Sequence, residues 1–359
     1  MRVLFITTGM LMGGAEVQIA ELASELTTQG HNIALLNLTG LSEVTLPPEV
    51  TVFKLNMRPR GLIRGLWVAR QWINEWHPDV VHSHMIKANL FARLLRPISQ
   101  IPKLICTAHS IHEGSALMMK LYRLTDHFCN LTTHVSKEAV DHFIKSGAVP
   151  SEKITFMANG INISKFDLTR PNREKLRQTL DKNSDIFLWL HVGRMVPEKS
   201  QESLIQAFSL VKLKAPHTQL WIAGDGPMCK QHTRLISALN LKNSITLLGK
   251  RTDVPALMQA ADGFVLSSRI EGSPLVLGEA MASGLPTVST RVSGAAQLLS
   301  LDDILVPVDD SQKLAEAMLL TMATTITDNQ RTSRRNHVQK YFSMPAIASE
   351  WVRIYQRKN

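Results

Sequence analysis

Short apolar runs alternate with amphipathic stretches along the whole chain. This alternation is typical of repeated βα units, because each strand of a parallel sheet is followed by a crossover that is usually a helix. The pattern therefore predicts an α/β fold built on parallel sheets. A first series of predicted strands covers Val3–Thr7, Ile33–Leu38, Val80–His82, Leu104–Thr107 and Leu131–Val135. A second series covers Phe187–Val192, Gln219–Ala223, Ile245–Leu248, Gly263–Leu266 and Thr287–Ser289.

A charged tract without strand signals separates the two series, beginning near Asn159-Gly160 and containing Pro171. With 359 residues the chain is long enough for two domains that each bury a core. The last segment has the pattern of a helix, since Ile347, Trp351 and Tyr355 recur every four residues. We predict a first Rossmann-like domain over 1–165, a linker over 166–182, a second Rossmann-like domain over 183–340 and a terminal helix within 341–359.

Composition excludes several classes of protein. Hydrophobic residues make up 44% of the chain and charged residues 19%, which is ordinary for a globular protein and excludes disordered and fibrous chains. No run approaches the roughly 18 apolar residues of a membrane-spanning helix, and Met1 to Thr7 is too short for a signal-peptide core. Cys106, Cys129 and Cys229 are far apart and form no CxxC pair, which argues against a disulfide framework and a thiolate zinc site. We expect a protein of the reducing cytoplasm.

Basic residues are concentrated in one third of the chain. The formal net charge is +10, and between Lys54 and Arg123 eleven basic residues stand against three acidic ones. Apolar and basic residues interleave at Arg58, Arg60, Leu62, Ile63, Arg64, Leu66, Trp67, Val68 and Arg70. This pattern fits a helix docked on an anionic membrane surface, and equally a core-packing helix with a solvated basic rim. Nucleic acid is not expected as a partner, because aromatic interleaving, zinc-ligand spacing and a recognition module are all missing.

The loop after the first predicted strand contains two adjacent glycines at the start of a helix, Gly13 and Gly14. Glycines there allow a phosphate or a sugar to approach bare amides at the positive end of the helix dipole. The spacing is neither GxGxxG nor GxxxxGK[ST], which removes the fingerprint of a dinucleotide-dependent oxidoreductase and of a P-loop NTPase. A tight βα turn without a ligand is the alternative.

A second loop follows the strand that opens the second series and contains Arg194 and Lys199. A guanidinium fork and an ammonium leaving the same loop could bind one diphosphate from two directions. The alternative is solvated surface charge. The position at the carboxyl end of a parallel strand, where such folds bind ligands, supports the functional interpretation.

The most informative stretch runs from Ser267 to Ala282. Pro274 suits the first turn of a helix, and Gly272 and Ser273 present free amides just before it, which predicts an anion site. Two glutamates flank this site, Glu271 in the loop and Glu279 within the helix. Each carboxylate could accept hydrogen bonds from a pair of sugar hydroxyls. Ordinary surface glutamates are the alternative, although the residues around Glu279 are too apolar for an exposed face.

Together these loops resemble the GT-B-fold glycosyltransferases of the large retaining group known as glycosyltransferase family 4. The resemblance spans nearly the whole chain. It rests on Gly13-Gly14-Ala15-Glu16, on Gly193-Arg194 to Lys199, on Gly224-Asp225-Gly226-Pro227, and on the E-x7-E pair Glu271 and Glu279. It implies two Rossmann-like domains that face each other across a cleft, with the terminal helix packing back on the first domain.

The resemblance also implies roles for individual residues. Arg194 and Lys199 would bind the donor diphosphate, Glu271 the transferred sugar and Glu279 the ribose. Amides from Gly272 to Leu275, with Ser273 and Pro274 between them, would bind phosphate. Gly13 and Gly14 would approach the donor, Arg251 lies in the loop that passes over the base, and His109 matches the histidine that faces the donor sugar. His109, Arg194, Lys199 and Glu271 are thus the implied catalytic residues.

The chain departs from the family pattern at two loops. Ser200 stands where glycine commonly follows the lysine, and Gln297 stands where a carboxylate is frequent. A DxD pair is missing, as the resemblance implies. Asp302-Asp303 and Asp309-Asp310 are adjacent pairs in a region expected at the surface. We therefore predict metal-independent transfer without a cofactor.

The resulting prediction is a retaining glycosyltransferase. It would move a hexose or an N-acetylhexosamine from a nucleotide diphosphate sugar, with UDP preferred to GDP, to a saccharide or polyprenyl-linked acceptor in surface polysaccharide or lipopolysaccharide biosynthesis. Electrostatic stabilisation of the departing diphosphate would supply most of the acceleration. The alternatives are a sugar-nucleotide epimerase on the same fold and a non-catalytic basic binding protein. We expect a cytoplasmic location, peripheral on the inner face of the cell membrane if the basic helix docks there.

Overall fold

The computed structural model describes residues 1–58, 60–109, 116–166, 168–169, 173–179, 186–300 and 303–357. The chain divides into two compact units. The first unit comprises Met1–Gly160 together with Met344–Asn359, and the second comprises Ile161–Ser343. The boundary thus lies after Gly160, whereas we predicted it at residue 165. Part of the predicted linker is helical and belongs to the second unit.

The first unit is built on a sheet of seven parallel strands among the described residues, in the order β3-β2-β1-β4-β5-β6-β7. The strands are β1 (Arg2–Thr7), β2 (Asn32–Asn37), β3 (Thr51–Lys54), β4 (Val80–His84), β5 (Leu104–Ala108), β6 (Leu131–His134) and β7 (Ile154–Phe156). Its helices are α1 (Gly14–Thr28), α2 (Leu62–Trp76), α3 (Ile86–Leu95), α4 (Ala116–Thr125), α5 (Lys137–Lys145) and the terminal α14 (Met344–Gln356).

The second unit is built on a six-stranded parallel sheet, again counted over the described residues, in the order β10-β9-β8-β11-β12-β13. The strands are β8 (Phe187–Val192), β9 (Thr218–Ala223), β10 (Ile245–Gly249), β11 (Gly263–Leu266), β12 (Thr287–Thr290) and β13 (Ile304–Val306). Its helices are α6 (Arg173–Thr179), α7 (Gln201–Lys214), α8 (Cys229–Ala238), α9 (Val254–Ala260), α10 (Leu275–Ala282), α11 (Ala295–Leu298), α12 (Ser311–Ala323) and α13 (Asp328–Phe342).

Burial on both faces explains why the central strands form from nearly continuous apolar runs. Every residue of β5 is buried, and so is every residue of β9 and β11. The predicted α/β class with two parallel sheets is confirmed. The prediction missed β3, β7 and β13, because these strands are only three or four residues long and partly exposed.

Helix α14 packs in the first unit against α1, and its Ile347, Trp351 and Tyr355 belong to the core cluster that contains Phe5. The hydroxyl of Tyr355 lies 2.7 Å from Nδ1 of His82. Lys103 donates from Nζ to carbonyl oxygens at the end of the helix, 2.6 Å to that of Ile354. A cation at the negative end of a helix dipole stabilises the last turn. Apolar burial, a buried hydrogen bond and a charged cap therefore hold this helix.

Candidate functional site

A short 3-10 helix, Pro197–Lys199, lies after β8, and its turn is joined to the loop that follows β11. The hydroxyl of Ser267 donates to the carbonyl of Lys199 over 3.0 Å. The backbone N–H of Arg269 donates to the carbonyl of Glu198 over 2.8 Å, and its guanidinium donates to the carbonyl of Pro197 over 3.1 Å. Two loops that are distant in sequence thus form one surface at the carboxyl end of the sheet, where open α/β sheets bind ligands.

This surface brings together two of the predicted catalytic residues. Nζ of Lys199 lies 2.6 Å from Oε1 of Glu271, and the same oxygen accepts a hydrogen bond of 2.6 Å from the hydroxyl of Ser268. Glu271 is only 8% exposed. A buried carboxylate requires such partners, because an uncompensated charge in the interior is costly. The arrangement holds one positive and one negative group side by side, facing the ligand-binding edge.

Ser200, which stands where the family commonly has glycine, adopts the left-handed conformation with φ of 48°. Such a conformation is strained for a residue with a Cβ atom. The Ser200 hydroxyl donates to Oδ1 of Asp309 over 3.2 Å, and this oxygen also lies 2.6 Å from Nε of Arg269. Asp309 therefore connects the turn that carries Lys199 to the loop that carries Glu271.

The loop of Arg194 is shaped by the two glycines of the Gly224-Asp225-Gly226 sequence. Both glycines have positive φ, 139° and 159°. A Cβ atom on Gly224 would collide with the carbonyl oxygen of Gly193, and one on Gly226 with that of Met195. The N–H of Met195 donates to the carbonyl of Asp225 over 2.9 Å. The glycines are therefore needed for close backbone contact, and the side chain of Arg194 remains exposed.

Two buried side chains beneath this loop fix the carbonyl of Arg194. Nδ1 of His191 lies 3.0 Å from the carbonyl oxygen of Val265, so this nitrogen carries the proton. Burial lowers the pKa of His191 to about 4, which keeps the ring neutral and its Nε2 bare. The amide nitrogen of Gln201 lies 3.3 Å from that Nε2 and 2.8 Å from the carbonyl oxygen of Arg194. Gln201 thus uses both amide protons to hold the loop.

The start of α10 differs in detail from the prediction. Pro274 is the residue before the helix rather than part of its first turn, with φ of −78° and ψ of 76°. The N–H of Leu275 donates to the carbonyl of Ser273 over 2.9 Å, so this predicted phosphate-binding amide has a partner within its own turn. Glu279 is half-buried within the helix. Gly294 packs against this turn, where an added Cβ would lie 3.2 Å from the carbonyl oxygen of Gly272.

The structure gives Arg251 a partner in its own loop. Its guanidinium donates to both carboxylate oxygens of Asp253, over 2.8 and 2.6 Å. This bidentate pair raises the pKa of Arg251 and lowers that of Asp253. A flat guanidinium held in this way has a fixed orientation.

The remaining predicted site residues lie in the first unit. Gly13 precedes α1 in an extended conformation, and an added Cβ would collide with a carboxylate oxygen of Glu16. Burial raises the pKa of Glu16. Gly14 has open space around it, with no atom within 4 Å of an added Cβ. The carboxylate of Glu16 therefore lies against the glycine loop that we predicted to approach the donor.

His109 follows β5, and its Nε2 lies 3.1 Å from Nδ1 of His84 at the end of β4. Burial, together with the nearby His134, lowers the pKa of His109 to about 3. The ring is therefore neutral at physiological pH and can donate or accept a hydrogen bond without carrying charge.

Several basic residues of the segment from Lys54 to Arg123 have structural partners. Arg93 is fully buried, with hydrogen bonds to the carbonyl of Tyr122 and the hydroxyl of Thr132. Arg96 donates to the carbonyl of Phe128 over 2.8 Å. The basic surplus is therefore not all available to a partner.

Helix α2 packs on the core, as one of the two interpretations of the sequence predicted. Gly65, Ala69 and Ile73 face the core. On the opposite side Ile63 is 75% exposed and Trp67 is 57% exposed. The helix thus packs on the core with one face and presents apolar side chains among arginines with the other.

The predicted surface location of the late aspartates is wrong for Asp303. Its side chain is buried and bonds Arg334, 3.0 Å between Oδ1 and Nε. Asp302 lies outside the described residues. No group of three or more His, Cys, Asp or Glu that could hold a metal ion occurs within the described ranges. No helix in the part of the chain that the structure describes is long and apolar enough to cross a membrane.

Two protein-family models match the chain over separate stretches. Glycosyltransferase Family 4 matches residues 12–165, and Glycosyl transferases group 1 matches residues 187–323. The chain belongs to glycosyltransferase family 4. The predicted enzyme class is therefore confirmed, and this glycosyltransferase has the GT-B fold.

Two curated relatives of this glycosyltransferase are named as bacterial glycosyltransferases for a lipid-linked acceptor and for lipopolysaccharide. It is 25% identical over 281 residues to the UDP-Gal:α-D-GlcNAc-diphosphoundecaprenol α-1,3-galactosyltransferase of Escherichia coli, covering 74% of this chain and 72% of that protein. It is 24% identical over 351 residues to the lipopolysaccharide core biosynthesis glycosyltransferase LpsD of Rhizobium meliloti, covering 96% and 95%.

Among solved structures, this glycosyltransferase is similar to Anabaena HepE in complex with UDP. The TM-score is 0.83 at 22% identity, and the alignment covers 99% of both chains. At this identity the likeness shows the fold.

Sequence reasoning missed four side chains that shape the site: Ser268, Asp309, His191 and Gln201. A signal existed for His191, because a histidine inside an otherwise apolar strand needs a buried partner. Ser268 lies within the stretch that we singled out, three residues before Glu271, but its bond to Glu271 depends on loop geometry. The partners of Asp309 and Gln201 become visible only when the loops are folded together.

Proposed function

We propose that this glycosyltransferase moves a hexose or N-acetylhexosamine, with retention of anomeric configuration, from a UDP-linked donor to a saccharide or lipid-linked acceptor in surface polysaccharide or lipopolysaccharide assembly. The Lys199–Glu271 pair carries the proposal. It places an ammonium and a buried carboxylate side by side at the carboxyl end of the second sheet. A sugar diphosphate has the complementary chemistry, hydroxyls for the carboxylate and phosphate oxygens for the ammonium.

In the proposed mechanism, Lys199 and the exposed Arg194 stabilise the negative charge that develops on the departing diphosphate. Glu271 accepts hydrogen bonds from hydroxyls of the transferred sugar, and Ser268 holds this carboxylate in place. Glu279 binds the ribose hydroxyls. A phosphate oxygen of the leaving group takes the proton from the acceptor hydroxyl. These groups act without a protein nucleophile and without a metal ion, and the role of His109 toward the donor sugar rests on the family resemblance.

The preference for UDP is supported by the relatives. The Escherichia coli enzyme is named for UDP-Gal, and HepE was crystallised with UDP and with UDP-glucose. A thermal-shift panel of UDP, GDP and ADP, without and with magnesium, tests this preference, because a ligand that binds only the folded protein raises its melting temperature. We expect a shift by UDP that does not need magnesium and that Glu279→Ala reduces strongly. A larger shift by GDP, or a shift only with magnesium, would contradict the proposal.

The stereochemical outcome separates the proposed transferase from an epimerase on the same fold. Proton NMR of the products from UDP-glucose or UDP-N-acetylglucosamine reports the configuration at C1 and at C2. We expect the first-formed free or transferred sugar to be the α-anomer. A change at C2 of the donor sugar without any acceptor would favour the epimerase.

We propose that the enzyme meets its acceptor at the anionic cytoplasmic face of the cell membrane. The Escherichia coli relative is named for a diphosphoundecaprenol-linked acceptor. In this chain Ile63 and Trp67 are exposed on α2 near Arg58, Arg60 and Arg64. Apolar side chains surrounded by cations fit the interface of an anionic bilayer.

Co-sedimentation with vesicles of phosphatidylglycerol and phosphatidylcholine tests this membrane proposal. We expect binding at low salt that weakens as salt screens the arginines, and that Trp67→Ser reduces. Leu213→Ser is the matched control, since Leu213 is 80% exposed and lies between two lysines in the second unit. Equal binding by both variants, or no binding at low salt, would remove the membrane from the proposal.

A further inference from the structure

The end of strand β4 places a buried histidine, His84, beside the half-buried His109. Nδ1 of His84 lies 3.1 Å from Nε2 of His109, and the ring centroids are 5.4 Å apart. His84 is 3% exposed. Burial lowers the pKa of His84 well below its usual range and that of His109 to about 3, so both rings are neutral.

The proton positions on the two rings are therefore linked. A neutral imidazole has one N–H, so a hydrogen bond between two of them needs one facing nitrogen to carry the proton and the other to be bare. If His84 donates from Nδ1, His109 carries its proton on Nδ1. If His109 donates from Nε2, its Nδ1 is bare and can only accept. The tautomer of His109 is thus linked to that of His84.

A small cavity within the first unit lies behind this pair. It has about 10 Å³ of space for a water-sized sphere and is lined in part by Gln18, His84, His109 and Trp351. Nε2 of His84 and Oε1 of Gln18 are both buried and have no hydrogen-bond partner among the described residues. Gln18 is 7% exposed. The cavity has the size of one water molecule, and water can donate a hydrogen bond to either kind of atom.

We propose that His84 is a positioning residue for His109, which fixes the ring and selects its tautomer, and that one water between His84 Nε2 and Gln18 Oε1 completes this arrangement. Its catalytic consequence rests on the proposed function, in which His109 contacts the donor sugar. The other histidine of β4 provides a control. His82 is equally buried, but its two ring nitrogens lie 2.7 Å from the hydroxyl of Tyr355 and 2.6 Å from that of Thr107.

Nitrogen-15 NMR of the histidine rings tests the positioning directly, in the ligand-free full chain. We expect His109 to show the shifts of one tautomer in the unsubstituted protein and a changed tautomer population in His84→Phe. His84→Asn should restore the original shifts, because its amide lies where Nδ1 was. His84→Gln, whose amide lies near the position of Nε2, should not. His82→Phe should leave the His109 shifts unchanged.

Release of UDP from UDP-glucose and from UDP-N-acetylglucosamine tests the catalytic consequence. We expect His84→Phe to lower kcat about tenfold with KM unchanged, as when the hydrogen-bond partner of a functional histidine is removed. His84→Asn should recover most of this loss. The double variant His84→Phe/His109→Phe should have the same kcat as His109→Phe alone, since the two residues act as one unit.

The nitrogen-15 shifts of His109 test the inference independently of the rate of UDP release. Unchanged His109 shifts in folded His84→Phe, or the same change in His82→Phe, would overturn it. If His84→Phe does not fold, the difference between His84→Asn and His84→Gln decides in the same way. If the shifts move as expected while His109→Phe releases UDP at the original rate, the positioning stands and the proposed role of His109 fails.

Discussion

Both units carry candidate functional side chains at the carboxyl ends of parallel strands, but they hold these side chains by different electrostatics. In the first unit, His84 and His109 are neutral rings bonded to each other. In the second unit, Lys199 and Glu271 form an ion pair supported by the hydroxyl of Ser268. A neutral pair can be buried with few partners, whereas an ion pair needs further hydrogen bonds to offset its loss of hydration. In the proposed function, the carboxyl edge of the first sheet recognises hydroxyls and that of the second sheet recognises the diphosphate.

The largest expected effect is the loss of the ammonium of the second unit. Lys199→Ala should lower kcat for sugar transfer about 100-fold or more, because it removes charge stabilisation of the leaving diphosphate and leaves Glu271 buried without its cation. Steady-state kinetics with UDP-sugars measure this. Lys313→Ala is the control, since Lys313 forms an exposed pair with Glu316 in the same unit and such pairs contribute little. Equal rates for the two variants would remove Lys199 from the mechanism.

The next largest effect concerns the glycine that supports the loop of the charged site. Gly224→Ala should lower the free energy of unfolding of the second unit by about 2–4 kcal/mol, because the new Cβ collides with the carbonyl of Gly193. Gly249→Ala also has positive φ, 66°, but open space around it, so it should cost only about 1 kcal/mol. Urea denaturation monitored by hydrogen exchange in β8 and β9 distinguishes these variants. If Gly224→Ala lowers the free energy of unfolding no more than Gly249→Ala does, the loop relieves the collision by moving.

Acid should destabilise the first unit more than the second. Burial lowers the folded-state pKa of His82, His84 and His109 in the first unit, and of His191 in the second. A histidine with a lowered folded pKa contributes stability that is present above pH 6.5 and is lost as pH falls. At pH 5 each histidine that stays neutral should lower the free energy of unfolding by about 2 kcal/mol. The reason is that the unfolded ring is protonated at this pH and the folded ring is not. Hydrogen exchange at pH 7.5 and 5.0, corrected for intrinsic rates, measures the loss in β4 and β8 separately. An equal loss in both strands would contradict the comparison.

The smallest expected effect concerns the attachment of α14. Tyr355→Phe removes the hydroxyl that lies 2.7 Å from His82 and should lower the stability of the first unit by about 1–2 kcal/mol. Tyr341→Phe, at a tyrosine that is 51% exposed, should change stability by less than about 0.5 kcal/mol. Thermal denaturation of the two variants provides the comparison, and no difference between them would mean that this hydrogen bond does not help to hold the helix.

The sequence predicted the fold better than the partners within the site. Apolar periodicity reports which residues are buried, so it located the central strands and the buried face of α14. It carried no signal for β3, because an exposed edge strand of four residues has no apolar run. The loops bearing Lys199 and Glu271 were identifiable from glycines, prolines and charges after strands.

The pairing of these residues was beyond the sequence, because the pairing partners come from separate loops. Lys199 and Glu271 are 72 positions apart, and Ser200 and Asp309 are 109 apart. The contact between His84 and His109 joins the ends of two neighbouring strands. Such contacts depend on strand order and register, which periodicity does not encode.

The division of the chain has a consequence for its synthesis. Residues 161–343 form one continuous unit, whereas the first unit needs α14, which is translated after the whole second unit. Until Trp351 and Tyr355 leave the ribosome, the apolar face of α1 lacks its cover and His82 lacks its phenol partner. Domains generally fold as units during translation. The unit that begins first on the ribosome is therefore the one that finishes last, and chaperones that bind exposed apolar surface have their longest opportunity at the first unit.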